Sequence, residues 1–303
     1  MLVAFDQDSQ IVEVPDSERG SDVKGRRVHD GAYGGAMLTA RLMQSGVNAS
    51  QCRLTDIPCE KSAGKTLLLS HLVAWPPENA QKVLAFAENG GAVVLDATTG
   101  RKTPDAAMYC PWPGGLAGAI GMTASDLETD YNGYELSLFG EPAGKWLLTR
   151  IVPAFAPDAP WAAWDNICFQ KDGAPLVWER PFGAGRFVLV NGMMGPSAIY
   201  EQENQLGLKY VLSRLTAGSL LPVRPAAFEQ GARALPLVCE TGSLTAVLAN
   251  SGAWRQGRTL QLIAPAGEYT DLWTGAAVRV PDTGRVSLPA EDGVVLLWKK
   301  NGR

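Results

Sequence analysis

The chain opens on a short apolar run, "LVAF" (Leu2–Phe5), that reads as a buried strand. After a stretch rich in Asp, Glu and Ser, apolar and small residues return at Tyr33, Ala36, Met37 and Ala40, the i, i+3, i+4, i+7 spacing of one helix face. "QCRLTDI" and the strongly apolar "KTLLLS" predict a second and a third strand. Pro76-Pro77 then starts a helix with Glu78 in its first turn, where the helix dipole favours an acid. Its inner face is Ala80, Val83, Leu84 and Ala87; Gly90-Gly91 end it, and "AVVLD" is the fourth strand. Strands alternating with helices at this spacing predict a parallel sheet covered by helices on both faces.

Around residues 98–160 the pattern loosens into turns and aromatics, and the expectation there is an irregular insertion with some hairpin structure. Order returns in "APLVWERPFGAGRFVLVNG", two apolar strands joined at Gly183-x-Gly185. A last helix carries Leu208, Val211, Leu212 and Leu215 on one face and stops at Gly218. "LLPVRP" (Leu220–Pro225) reads as a linker, since its two prolines resist helix. Beyond it "LPLVCET", "SLTAVLAN", "TLQLIA", "EYTDLW", "RVSLP" and "GVVLLW" are short strands between Gly, Pro and Asp turns. That texture predicts a small antiparallel β-sandwich. The expected division is therefore an α/β domain over residues 1–219 and an all-β sandwich over 220–303.

Composition narrows the functional classes. With 303 residues, 46% hydrophobic and 19% charged, the chain is globular and long enough for two cores. A net charge of −4 without a basic stripe gives no footprint for nucleic acid. No run approaches the roughly 18 apolar residues of a membrane helix, and "MLVAFDQDSQ" lacks the basic n-region of a signal peptide. Five scattered cysteines without a CxxC read as reduced thiols, so the expected location is cytoplasmic.

The candidate chemistry lies at strand ends and in loops. "CEKSAGKT" (Cys59–Thr66) ends like a phosphate-binding loop, but Cys59 stands where that loop needs glycine, and an apolar strand follows instead of a helix. A charged turn is the stronger reading. His71 sits at the carboxyl end of the third strand and Asp96 at the end of the fourth, where α/β folds bind ligands. Neither has further ligands at metal spacing, and no metal or cofactor is expected. "DQD" (Asp6–Asp8) and His29 read as polar loop residues, and the acid pairs Glu128/Asp130 and Glu291/Asp292 as surface charge. Trp112, Trp161 and Trp164 lie in loops, where they could stack on sugar rings or plug the insertion and a subunit contact.

The order of strands and helices resembles the flavodoxin-like sheet of class I glutamine amidotransferases. Those enzymes place a Cys on the turn after a strand, with a His later in the chain. The matching turn here is Asp96-Ala97-Thr98, and both histidines, His29 and His71, precede it. The resemblance thus extends to the scaffold and not to the amidotransferase nucleophile. Three longer stretches, "KTLLLSHLVAWPPENAQKVLAFAENGGAVVLDATTG", "PLVWERPFGAGRFVLVNG" and "GEYTDLWTGAAVRVPDTGRVSLPAEDGVVLLW", resemble, in that order, the C-terminal portion of glycoside hydrolase family 42, the β-galactosidases. In that family a TIM barrel precedes an amidotransferase-like trimerisation domain and a β-sandwich. The catalytic glutamates belong to the barrel, so the resemblance implies no catalytic residue on this chain. It implies a non-catalytic oligomerisation and accessory module, a homo-oligomer, as a trimer in the family: either its catalytic barrel is a separate chain, or it is a truncated or repurposed descendant. Two alternatives stay open, a carbohydrate-binding module using the loop tryptophans and a diverged enzyme with its site near Asp6, His71 and Asp96.

Overall fold

The computed structural model describes residues 1–5, 30–195, 206–226, 232–239, 242–249, 258–290 and 293–300. Asp6, Asp8, His29, Glu291 and Asp292 lie outside the described residues. The chain divides into two compact units, residues 1–39 with 50–218, and residues 40–49 with 219–303.

The first unit is built from β1 (Leu2–Phe5), α1 (Asp30–Gln44, shared with the second unit), β2 (Ser50–Arg53), β3 (Thr66–Leu69), α2 (Pro77–Glu88) and β4 (Ala92–Asp96). There follow β5 (Met122–Leu138), β6 (Glu141–Phe155), β7 (Ala162–Ala163), β8 (Ile167–Phe169), β9 (Val177–Phe182), β10 (Gly185–Val190) and α3 (Leu206–Thr216). A seven-stranded sheet runs in the order β2-β1-β3-β4-β10-β9-β7. Its neighbours from β2 to β10 are parallel, and β9 and β7 add antiparallel strands at one side.

Leu67, Leu68 and Leu69 are all fully buried, as are Val93 and Val94. Unbroken apolar runs are what strands covered on both faces require. On one face, Ala80, Val83, Leu84 and Ala87 of α2 share a core with Ala4, Leu67, Leu69, Val93 and Leu95. Alternation turns Val3, Leu68 and Val94 to the other face, which α1 approaches: a Cβ on Gly35 would stand 3.8 Å from Val3 Cγ1. Of the expected α1 face, the side chains of Tyr33 and Met37 lie outside the described residues. Ala36 is exposed, whereas Leu38 and Leu42 are buried; the bulkier leucines take the interior because they remove more apolar surface from water. The β9–β10 hairpin turns at Gly183-Ala184, with Phe182 opposite Gly185. Gly183 has φ 57, and a Cβ there would stand 2.6 Å from Glu88 Cα. Glycine is thus required both by conformation and by space.

The expected irregular insertion is more regular than its sequence. After a loop with a helical turn at Ala117–Ile120, β5 and β6 form one long antiparallel hairpin, and β8 pairs with β5. Register shifts at Ala124/Asp126, Asp130/Tyr134 and Glu135/Ser137 interrupt the ladder. Each bulge flips the inward face, which erases the two-residue periodicity by which strands are recognised. Asn191, just past β10 and 2% exposed, ties this hairpin to the main sheet. Its amide accepts from Ile151 N–H (2.7 Å) and donates to Ile151 O (3.0 Å), replacing one rung of a ladder. Arg150 anchors it from beneath. Its guanidinium is bonded to Glu128 (2.6 Å) and Asp172 (2.7 Å) and lies 5.0 Å from the ring centroids of both Tyr134 and Phe169.

The second unit adds β11 (Arg224–Pro225), β12 (Ala232–Cys239), β13 (Gly242–Ala249), β14 (Arg258–Ile263), β15 (Gly267–Asp271), β16 (Ala277–Val280), β17 (Arg285–Ala290) and β18 (Val294–Lys300). They form two antiparallel sheets, β11-β14-β17 and β12-β13-β18-β15-β16. Val247, Leu260, Leu262, Tyr269, Val280, Val295 and Leu297 are among their shared core. The expected linker is part of this unit. Leu221 and Val223 are buried in its core, and Arg224 and Pro225 pair with Ile263 and Leu262. Pro225 is tolerated because β11 is an edge strand.

Candidate functional site

Since β3 and β4 are parallel neighbours, their carboxyl ends meet at one edge of the sheet, the edge at which open α/β sheets bind ligands. Ser70 and His71 follow β3; Asp96 ends β4, and Thr98 and Thr99 form the turn after it. All five are buried, between 1% and 7% exposed. The two residues singled out from the sequence, His71 and Asp96, do come together here: the His71 backbone N–H donates to Asp96 Oδ2 at 2.7 Å.

Asp96 is the hub. Its Oδ1 accepts from Thr98 N–H (3.1 Å), Thr98 Oγ1 (3.0 Å) and Thr99 Oγ1 (2.8 Å), and its Oδ2 from Ser70 Oγ (3.3 Å). The bond to Thr98 N–H, two residues on, is an Asx turn, which an Asp at a strand end forms readily. Thr99 Oγ1 also reaches the Leu69 carbonyl, which joins the two strand ends directly. Ser70 Oγ in turn accepts from Gly195 N–H (2.9 Å), so the segment after β10 is tied in as well. Thr98 Oγ1 lies 2.9 Å from His71 Nδ1. With that hydroxyl donating to Asp96, the imidazole Nδ1–H is the donor in this contact. His71 has φ 55, a left-handed conformation that a β-carbon disfavours. The bond from its N–H to Asp96 holds it there.

A Ser, a His and an Asp in one place invite comparison with a hydrolytic triad, but the connections are wrong for one. A nucleophilic hydroxyl must present its oxygen to substrate and its proton to a base. Ser70 Oγ instead donates to the carboxylate and receives a backbone N–H, both inside the protein. The geometry makes these residues a knot that fixes three chain segments at one edge. Ser70, Thr99 and Gly195 were not expected from the sequence. The signal available was the Asp-x-Thr-Thr turn, whose side chains cap their own backbone.

Of the two readings open for the tryptophans, Trp112 and Trp164 follow the packing one. Trp112 is 8% and Trp164 4% exposed, and a stacking platform for sugar needs an open ring face. Trp112 Nε1 donates to Thr99 O (2.9 Å), extending the knot. The Trp164 ring carries the Arg214 guanidinium at 3.9 Å and lies 6.5 Å from Tyr210. Trp161 is half-buried; its Nε1 donates to Ile120 O, and its ring is 5.5 Å from Phe155. The partners come from different elements: the turn after β4 for Trp112, α3 for Trp164, and β6 with the loop before β5 for Trp161. Glu128, expected as surface charge, is a partner of the buried Arg150. Burial alone works against the Arg150 charge. Hydrogen bonds to Asp172 and Glu128 outweigh it and hold its pKa above the ordinary value. The same bond from Arg150 holds the Asp172 carboxyl below its usual range, against the opposing effect of burial.

The stretch Cys59–Thr66 is a 3-10 turn over Cys59–Lys61 followed by β3, with no helix to receive phosphate. Among the described residues no three His, Cys, Asp or Glu gather as a metal site. No described helix is long and apolar enough to cross a membrane.

A family model described as "Beta-galactosidase trimerisation domain" matches residues 59–217. No curated protein sequence matches the chain. Among solved structures, a beta-galactosidase from Bacillus circulans sp. alkalophilus is similar with a TM-score of 0.71 at 16% identity, over 98% of this chain and 41% of that one. Gan42B, a GH42 beta-galactosidase from G. stearothermophilus, gives 0.71 at 12% identity over 99% of this chain and 40% of its own. The cold-adapted beta-galactosidase from Rahnella sp. R3 gives 0.67 at 14% over 99% and 40%. The chain therefore spans about two fifths of the length of the structures it resembles.

Proposed function

The chain belongs to the family of the beta-galactosidase trimerisation domain, and from that premise we propose that it is a non-catalytic oligomerisation and accessory module in carbohydrate breakdown. One observation carries the reading: the matched span, 59–217, falls within the first unit, whose largest segment is 50–218. Self-association is therefore assigned to that unit, as a trimer, and the β-sandwich is an appended accessory. The strand order β2-β1-β3-β4-β10 supports an amidotransferase-like scaffold, since 2-1-3-4-5 is the flavodoxin-type order. The Asp96 knot occupies the edge at which such a scaffold would work, and its carboxylate and hydroxyls are engaged in holding the edge together. The catalytic partner in this reading is a separate barrel of the kind found in the longer β-galactosidases. The free thiols Cys52, Cys59, Cys110 and Cys168 support a reducing, cytoplasmic setting.

The test is hydrolysis of a chromogenic β-galactoside by the purified chain. The expected result is no turnover above buffer. Turnover that one carboxylate substitution abolishes would overturn the non-catalytic reading.

A further inference from the structure

The tip of the β5–β6 hairpin carries two features that a turn selected for stability alone would not. Leu138 pairs with Glu141, so Phe139-Gly140 is a two-residue turn, and both residues have positive φ, 53 and 88. That is the pattern of a type I′ turn, for which Asn-Gly is the favoured pair. A bulky aromatic at a left-handed position is an outlier, and backbone strain of this kind concentrates at functional sites. The Phe139 side chain is also exposed, with 69% of the residue open to solvent. The turn itself is fixed, because Phe139 N–H donates to Asn166 O at 2.8 Å.

The surroundings continue the pattern. Tyr210 of α3 meets the Phe139 ring edge-on at 5.9 Å. Leu206, one turn earlier on the same helix, is 49% exposed. Arg214, one turn later, is exposed and stacks on Trp164. Residues four apart share a helix face, so Leu206, Tyr210, Arg214 and the Phe139 tip form one surface. Aromatics and arginine are the side chains enriched at the energetic centres of protein interfaces. A small ligand is bound in a concavity, whereas an aromatic at a hairpin tip is shaped to enter a pocket on another body.

We propose that this surface is where one copy of the first unit receives another, with Phe139 as the anchor. The proposal rests on the self-association reading above. All four residues lie within the span matched by the trimerisation model, which is the reason to seat a second copy here. In a ring of three the contact is heterologous, so Phe139 meets a different patch of its neighbour rather than another Phe139.

The experiment replaces Phe139 with Asn, the residue that the turn itself prefers, and with Tyr. Mass is measured by light scattering over a range of chain concentrations. Unfolding is followed by circular dichroism at a concentration below the association range. The expected result is that Phe139→Asn folds with an equal or higher midpoint and associates at least tenfold more weakly, while Phe139→Tyr associates like the wild type. A wild-type trimer with Phe139→Asn trimerising at the same concentration would overturn this surface and leave the self-association reading standing. A wild type that stays monomeric throughout would overturn both.

Discussion

Replacing Asp96 with Ala tests whether the buried knot is scaffold. The carboxylate, in a residue 3% exposed, accepts from two backbone donors and three hydroxyls. The hydroxyls can rotate toward other acceptors, and Thr99 Oγ1 already reaches the Leu69 carbonyl. The N–H groups of His71 and Thr98 cannot. Each buried donor left without a partner costs about 1–3 kcal/mol, so the pair gives roughly 2–6 kcal/mol. Asp96→Asn keeps the shape and one acceptor oxygen. It places an NH2 group against either the His71 N–H or the Thr98 N–H, and a cost of about 1–3 kcal/mol follows. Urea unfolding followed by circular dichroism, at one fixed chain concentration, reads both values, since association itself shifts apparent stability. The order wild type, then Asn, then Ala is required. An Ala variant within about 0.5 kcal/mol of wild type, the range of surface substitutions, would refute the argument that this edge depends on Asp96.

Other outcomes follow from the same structure. Arg150→Ala should destabilise by about 2–3 kcal/mol in urea unfolding; its partners keep some contact with water, which limits the penalty of a broken buried pair. A change under about 0.5 kcal/mol would mean that Arg150 does not anchor the hairpin. The depressed Asp172 pKa contributes stability that is present above the unfolded value near about 3.9 and is lost as pH falls toward the folded one. Asp172→Asn should therefore lose less stability than wild type on acidification below about pH 5; equal acid slopes would contradict this. Titration with methyl β-galactoside should leave tryptophan emission flat, because Trp112 and Trp164 are buried and the half-buried Trp161 is engaged by Ile120 and Phe155; a saturable shift would restore the sugar-binding alternative.

Much of this architecture was legible in the sequence because its signals are local. The β3 and β4 runs, the proline entry to α2 and the glycine turn at Gly183 need only neighbouring residues to be read. Of the β5–β6 hairpin, some hairpin structure was legible but not its length or regularity, because three bulges shift its periodicity and each bulge is visible only beside its partner strand. The choice between the two readings of the tryptophans was not legible for a related reason: what covers Trp164 is Arg214 on a helix about fifty residues later. At the site, strand-end position was enough to single out His71 and Asp96. It could not show that Ser70 and Thr99 both donate to Asp96, or that Gly195 holds Ser70 in turn, since the Ser70 and Gly195 bonds cross from one strand end to the next. The linker expectation erred because proline argues only against helix, and an edge strand accepts it.

The most direct test of the central claim is the solution mass of the purified chain by size-exclusion with light scattering. A homogeneous species of three times the 32.3 kDa chain is the predicted result. A single-chain mass at every concentration would contradict it.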